Sequence, residues 1–548
     1  MIRNVENRTF GRLVFWLAAT VVAMQACLAL DFTPDNNHIS VRKMLEETQR
    51  AAFGYIWNDG CPHSGMAYEA NFDWDVRPVA VGGTGFGIAA IVVAADRGWI
   101  TRNAAVERLQ KIVSFLLEKT ERLAFHGAFP HWLNGRTGES MTFGPSDADA
   151  DIVETSLLLQ GLLIARVYFN GPGNEKRLAD SITEIWEGVD WNWFTNGEED
   201  GIYWHWSPER GYSGLKILGY NECLITYALA ISSPTHPISR QAYDYWKKSV
   251  NYQSRELFGY ELQAAPLGGG PLFLAHYSFV GLDPRRIADE SVTRGFFVRG
   301  VVQTLSNRGY CLQDAPADNQ YSEVFWGLTA SQIPDGYAVN EPYNDSGTVA
   351  PAAALASMPY TPLYSFQMLR NLQGSLKEKV WGPYGPYDAI NLRDDWVSDL
   401  YLAIDQLPIV CMIENYRTGL LWKLFMSIPE VRKGLAKAGL EEPELADGFP
   451  EAIVTVQKKN LEYVPDAYEM MRHPETGTYS VPYRSTQKEK VEFIWKDENE
   501  QTVSSETRFA VPGRNVLQFK PFMPGDGKKL TLVLQHADGE HSLPIRLH

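Results

Sequence analysis

The sequence predicts a mainly α-helical protein: a closed double ring of helices, followed by a small β-sandwich-like domain. Three observations predict it. From about residue 40 to 439 the chain reads repeatedly as helix, aromatic loop, helix, and strand-like alternation is scarce. The helical segments alternate between apolar runs, which need cover on nearly all sides, and amphipathic ones with a polar face for water; inner and outer rings satisfy both. After Leu445 the period changes to that of strands.

Taken in order, residues 1–29 read as an export signal. Arg3, Arg8 and Arg12 form a basic start, and 13–24 is an apolar run too short to span a bilayer comfortably. Cleavage is expected after Ala29, with lipid attachment at Cys27 as the alternative. Either route predicts an exported protein, periplasmic or secreted, or a lipoprotein at the outer membrane. The helical domain is expected over 35–445. Its segments are 41–57, 86–97, 103–123, 147–169, 174–186, 220–231, 239–257, 272–279, 284–305, 322–330, 349–356, 362–372, 397–404, 408–426 and 429–438. Long loops rich in Trp, Tyr, Gly and Pro separate them at 190–219, 259–271, 314–321 and 381–391, and such loops usually carry function. Over 450–548, residues 490–496 read as a strand. Asp538-Gly539 between 530–535 and 542–547 reads as a hairpin turn.

Composition narrows the partners. A net charge of −16 over 548 residues argues against nucleic acid and anionic membrane surfaces, and disfavours polyanionic substrates. Neutral substrates fit best, and a monomer is expected. Five widely spaced cysteines without a CxxC exclude a zinc knuckle and leave room for one or two disulfides. The eleven histidines show no HExxH, and no GxSxG occurs. Gly83-Thr84-Gly85-Phe86-Gly87 lacks the full dinucleotide pattern. Asp147, Asp149 and Asp151 resemble the start of a calcium loop but lack its glycine and final Glu. No metal and no cofactor is expected.

Carboxylates among aromatics remain. Over 145–166, Ser146 and Asp149 read as a helix N-terminus, which would place Asp147, Asp151 and Glu154 on one helix face. Residues so spaced are only about 5–6 Å apart at Cβ, too close to flank a sugar from opposite sides. Glu222 stands at the mouth of one apolar segment and Asp405 at the mouth of another; Glu is the poorer cap, so Glu222 is the more telling. Nearby aromatics and histidines suit sugar faces: His131 and Trp132, Trp204 and Trp206, His276 and Tyr277, and Trp326. Glycoside hydrolysis needs an acid at the leaving oxygen and a second carboxylate on water or as nucleophile, and this chain offers both.

Several stretches together resemble the bacterial glycoamylase-like domain of glycoside hydrolase family 144. They are Trp74-Asp75-Val76-Arg77-Pro78 with 82–87, Phe129–Trp132, the segment from Asp147 to Glu154, Gly219–Cys223, 331–337, 344–351, 358–362, and Ile404-Asp405-Gln406 through Ile413-Glu414-Asn415-Tyr416-Arg417. The likeness covers about residues 40–440; Leu407 stands where Gly is expected, and Cys223 follows Glu222. The resemblance implies an (α/α)6 barrel and inverting hydrolysis of β-1,2-glucans, endo-acting or sophorose-releasing. It implies Glu222 as general acid and Asp405 as base, with Asp399 the fallback. Glu154 is counted with the catalytic carboxylates, and Asp147 and Asp151 with an acidic wall that binds hydroxyls. Arg77, Tyr220, Tyr337, Glu414 and Arg417 complete the expected substrate-binding set.

Overall fold

Close backbone contact between two glycine-bearing helices sets the core of the protein. The computed structural model describes residues 41–144, 148–258, 260–442 and, beyond these, 471–472, 479–485, 489–496, 501–510, 513–519, 530–536 and 539–545. Helices α1 to α7 are Val41–Asp59, Val81–Asp96, Arg102–Glu118, Ile152–Tyr168, Asn174–Glu187, Leu224–Ser232 and Arg240–Trp246. Helices α8 to α14 are Phe296–Gln313, Pro351–Leu355, Pro362–Gln373, Lys377–Val380, Ala403–Arg417, Leu420–Met426 and Pro429–Ala438. The described residues up to Glu442 are therefore mainly helical, as the sequence predicts.

Helices α2, α4, α6, α8, α9 and α12 are buried along most of their length. Between them in sequence lie helices such as α3 and α5 that bury one stripe only. A Cβ on Gly85 of α2 would sit 2.1 Å from the Leu157 carbonyl oxygen of α4, and one on Gly161 would sit 2.0 Å from that of Gly85. Only glycine permits this approach. On its other side α2 packs against α12, where Gly83 faces Ala403.

Short strands are more numerous than the sequence pattern predicts. β1 (Pro78–Ala80), β3 (Trp132–Asn134) and β4 (Ser140–Met141) form one antiparallel sheet. β2 (Phe129–Pro130), β5 (Ala150–Asp151), β6 (Tyr203–Ser207) and β7 (Gly211–Lys216) form another, in that order. Strands of two or three residues are too short to show a period.

Several expected boundaries move for local reasons. The helix expected over 147–169 begins at Ile152, because Ala150-Asp151 is spent on strand pairing and Asp151 becomes the N-cap. Ser146 and Asp147 lie outside the described residues. The helix expected from 220 begins at Leu224, which leaves Glu222 in the preceding turn. Residues 272–279 form two 3-10 turns, and 322–330 carries no helix. Residues 397–426 are one helix from Ala403 that tolerates Pro408, then a break at Gly419 (φ +68°) and a second helix.

The strands described after residue 470 form antiparallel sheets. One runs Met471–Arg472, Tyr479–Ser485, Gly513–Phe519; the other runs Thr502–Ala510, Glu489–Lys496, Leu530–His536, Gly539–Ile545. His536 pairs with Gly539, closing the expected hairpin. Phe493 and Trp495 are buried, so these aromatics serve packing.

Cys61, Cys223, Cys311 and Cys411 are buried free thiols, so the disulfides for which the sequence leaves room do not form among them; Cys27 lies outside the described residues. Reduction is expected to leave the melting temperature unchanged, whereas losing a native disulfide costs about 2–5 kcal/mol. A fall on adding reductant in scanning calorimetry would contradict the free thiols.

Candidate active site

Asp151 anchors one side of the site. Its Oδ1 accepts the amides of Val153 and Glu154 at 2.9 and 3.0 Å, which caps α4. Its Oδ2 faces the His131 Nδ1 at 3.3 Å, the Trp204 Nε1–H at 3.2 Å and the His205 Nε2 at 3.4 Å. The register Phe129↔Asp151↔His205 brings these three strands' side chains together. Burial would raise the Asp151 carboxyl, but the hydrogen bonds and charges of His131 and His205 outweigh it and hold it well below the usual range.

Glu154 lies one turn further on. Its Oε2 accepts the Gly82 amide at 2.7 Å, and its Oε1 is 3.8 Å from the His131 Nε2. A Cβ on residue 82 would stand 2.5 Å from that Oε2, so only glycine admits the carboxylate. Burial, reinforced by the Asp151 charge and opposed by His131, pushes Glu154 up to about 7. Burial would lower the His131 imidazole, yet the charges of Glu154 and Asp151 push it up to about 10. The wall is thus a charged Asp151–His131 pair beside a carboxyl poised to titrate.

Glu222 differs from both. Apart from its own backbone, no group hydrogen-bonds its carboxyl strongly enough to lower it; burial, with the Asp151 charge, pushes it up to about 7. Its backbone oxygen accepts from the Ser278 hydroxyl, which fixes the turn. At the start of α12 lies a pair the sequence reading does not contain. Asp405, in the first turn of α12, faces Asp388, whose Oδ2 accepts the Gln332 amide at 2.7 Å. The Asp405 Oδ2 and Asp388 Oδ1 are buried with no donor of their own, so one proton held between the two carboxyls is the arrangement that satisfies both. Burial and the partner's charge raise Asp405 well above the usual range, and burial pushes Asp388 up to about 6. The values belong to the pair.

Tyr277 is buried, and burial with the charges of Asp405, Glu222 and Glu154 raises its hydroxyl well above its usual range. Tyr337 keeps half of its surface exposed, while the desolvated surroundings of its hydroxyl, with the charges of Asp405, Glu69, Asp388 and Glu154, raise it above its usual range. Glu69, a second residue absent from the sequence reading, accepts from the Trp132 Nε1–H at 3.0 Å, while its backbone oxygen receives the Ala403 amide at 2.9 Å. It therefore joins the His131 side to the start of α12. Asp388 had one signal, its place in the aromatic loop 381–391; Glu69 had none.

The remaining expected residues divide. Asp147 is outside the described residues, and Asp399 is exposed, holding Asn71 through its backbone oxygen. Asp149 is paired with Arg210 at 2.7 Å. Seven expected binding residues make structural contacts. Glu414 is buried and bidentate to Arg97 (2.6 and 2.9 Å), and Arg417 bonds Glu46 and Gln49, both toward the far end of α12. Arg77 grips Asp59 at 2.8 and 3.1 Å over the Tyr68 ring. Tyr220 is buried under Arg299, and Trp326 is wholly buried. His276 bonds Ser357 at 2.9 Å, and burial lowers it to about 3, which keeps it neutral. Trp206 packs edge-on against Trp193 and His126. The side chains that meet at the site are those of His131, Trp132, Trp204, Tyr277 and Tyr337, around Asp151, Glu154, Glu222 and Asp405.

Residues 214–429 match the family described as "Putative glucoamylase". The chain is 41% identical over 420 residues to an exo β-1,2-glucooligosaccharide sophorohydrolase (non-reducing end) of Parabacteroides distasonis; the match spans 72% of this chain and 57% of that protein. It is 43% identical to an endo-β-1,2-glucanase structure from Chitinophaga pinensis, with a TM-score of 0.71, covering 74% of this chain and 100% of that one. A β-1,2-glucanase structure from Parabacteroides distasonis is 40% identical, with a TM-score of 0.70, covering 73% of this chain and 60% of that one. With the whole Chitinophaga structure and 74% of this chain matched at 43% identity, the chain belongs to the bacterial glycoamylase-like family, glycoside hydrolase family 144.

Proposed function

We propose that the protein is an exported, inverting glycoside hydrolase that cleaves β-1,2-glucan, endo-acting or releasing sophorose. The observation that carries this is the set of buried carboxyls, Asp151, Glu154 and Asp405, with Glu222 at the mouth of α6, in a chain 41% identical to an exo β-1,2-glucooligosaccharide sophorohydrolase. Glu222, unpaired and pushed up to about 7, retains a proton near neutrality and gives it to the leaving oxygen, directly or through a substrate hydroxyl. The Asp388–Asp405 pair, through Asp405, takes a proton from water as that water attacks the anomeric carbon and the glycosidic bond breaks. Asp151, His131 and Glu154 bind hydroxyls along the opposite wall. The six buried helices fit the inner ring of an (α/α)6 barrel: α4 packs on α2 and α6, α2 on α12, and α12 on α9. Residues 1–29, outside the described residues, serve as the export signal in this reading, and the strands after 470 as a β-sandwich-like accessory domain.

Purified protein with β-1,2-glucan, laminarin, starch and cellulose tests the substrate. Reducing sugar from β-1,2-glucan alone is expected, with the new end born as the α-anomer by proton NMR. Release from starch only, or from none, would sink the assignment, and a β-anomer would sink inversion.

The glycine under Glu154 gives a second test. Gly82→Ala should displace that carboxylate and lower kcat by about 10–100-fold, since misplacement by an ångström costs that much. Unchanged kinetics in a folded variant would remove Glu154 from turnover.

A further inference from the structure

Next to the site the surface carries aromatic rings that neither the acid–base pair nor the core uses. Phe72 and Trp74 stack with centroids 4.1 Å apart and planes within 11°. Trp74 is nevertheless 49% exposed, and Phe143, 5.7 Å from it, is 51% exposed. Large rings this exposed and adjacent are unusual on a monomer and mark contact sites. The strip is continuous with the site. Phe143 meets Trp132 edge-on at 4.7 Å, Trp132 lies 3.8 Å from His131, and His131 faces Asp151. Its other edge is tied to the opposite wall: Asn71 accepts the Tyr401 amide at 2.6 Å and donates to the Asp399 oxygen at 3.3 Å, just before α12 and Asp405.

We propose that Phe72, Trp74 and Phe143 form a stacking platform for the glucose units of the substrate that extend beyond the bond being cleaved. This rests on the glucan-hydrolase reading of the site. The pyranose ring offers an apolar C–H face to an aromatic ring and hydroxyl donors at its edge. The platform has both counterparts, since the exposed Asp73 and Asp75 flank Trp74 with acceptors. The same two carboxylates disfavour an anionic occupant. A flat, stacked pair needs little ordering when a sugar arrives, which favours binding over a mobile loop. Trp132, pinned by Glu69, forms the inner end of the track and sets its direction toward the acidic wall.

The test compares full-length wild type, Trp74→Ala and Phe143→Ala on β-1,2-glucans of graded length, alongside retardation in gels containing β-1,2-glucan. The ratio of kcat/KM on polymer to kcat/KM on the shortest cleaved oligosaccharide should fall about fivefold or more in each variant, the size of one lost ring contact. Trp74→Phe should restore most of the ratio because it keeps a ring. Retardation should weaken in parallel. An unchanged ratio with active enzyme overturns the platform and leaves the hydrolase reading standing. Wild type that is retarded but cleaves nothing, with retardation lost in Trp74→Ala, keeps the platform and sinks the hydrolase reading. A changed elution volume on gel filtration with the ratio intact would mean a contact between copies and would also overturn the platform.

Discussion

Replacing Glu222 by Gln is expected to lower kcat on β-1,2-glucan by about 10²–10⁴-fold, the usual worth of a positioned general acid. Gln keeps the shape of the side chain but has no proton to give up. The carboxyl it replaces is raised by burial and by Asp151, and no hydrogen bond from another side chain lowers it. That predicts the pH profile of the wild type: activity declines as pH rises through about 7, where Glu222 loses its proton. In the variant this alkaline limb should vanish from the residual rate. The Glu222 contribution to stability should fall with rising pH as well. A carboxyl whose folded value is raised from 4.5 to about 7 favours folding fully only below 4.5, and that benefit is lost as pH rises through about 7. Above pH 7 the buried charge is a cost, so Glu222→Gln should unfold at equal or higher denaturant concentration, by about 1–3 kcal/mol. A variant with near wild-type kcat would remove Glu222 as the acid. One that is inactive and also much less stable would point to a structural role.

The same residue shows how far the sequence reaches. Glu222 was legible because Glu caps helices poorly, so its place before an apolar run needed another explanation. The apolar helices were legible for the plain reason that burial on all sides leaves no polar face. Asp388 and Glu69 were not, since each lies in irregular backbone and acquires meaning only when Gln332 or Trp132 is brought to it from distant sequence. The acidic stretch was misread in its geometry. One helical face was expected for Asp147, Asp151 and Glu154, but strand pairing by Ala150-Asp151 shortens the helix and turns Asp151 into its cap. Glu414 and Arg417 were drawn toward the site because they share a helix with Asp405. Nine residues of helix carry Glu414 about 13 Å along the axis from Asp405, and there it meets Arg97. Sequence proximity on a helix conveys a face, and length along the axis decides who reaches the substrate.

Asp405→Asn should be as damaging as the loss of the acid, about 10²–10⁴-fold in kcat, and its neighbour separates catalysis from tuning. Two buried carboxyls with facing unpartnered oxygens cannot both ionise cheaply, so the pair holds one proton and works as a base through the other site. The acid limb of the wild-type profile should therefore fall near 6, the value to which Asp388 is pushed. In Asp388→Asn the shared proton is gone and the acid limb becomes that of Asp405 alone, still raised by burial but no longer by its partner's charge, so the limb should leave pH 6. Asn can still accept the Gln332 amide, so the loop should hold its place. The plateau kcat should stay within about tenfold of wild type, as expected for a residue that tunes a base without touching the proton in flight. Stability gives an independent reading. Carboxyls raised in the folded state favour folding below their unfolded value of 3.8 and lose that benefit as pH rises through about 6. Either substitution should therefore flatten the fall in denaturant midpoint between about pH 4 and 6. If Asp388→Asn is as inactive as Asp405→Asn at every pH, Asp388 is the base and Asp405 its support. If both keep their acid limb where the wild type has it, the pair is not the base at all.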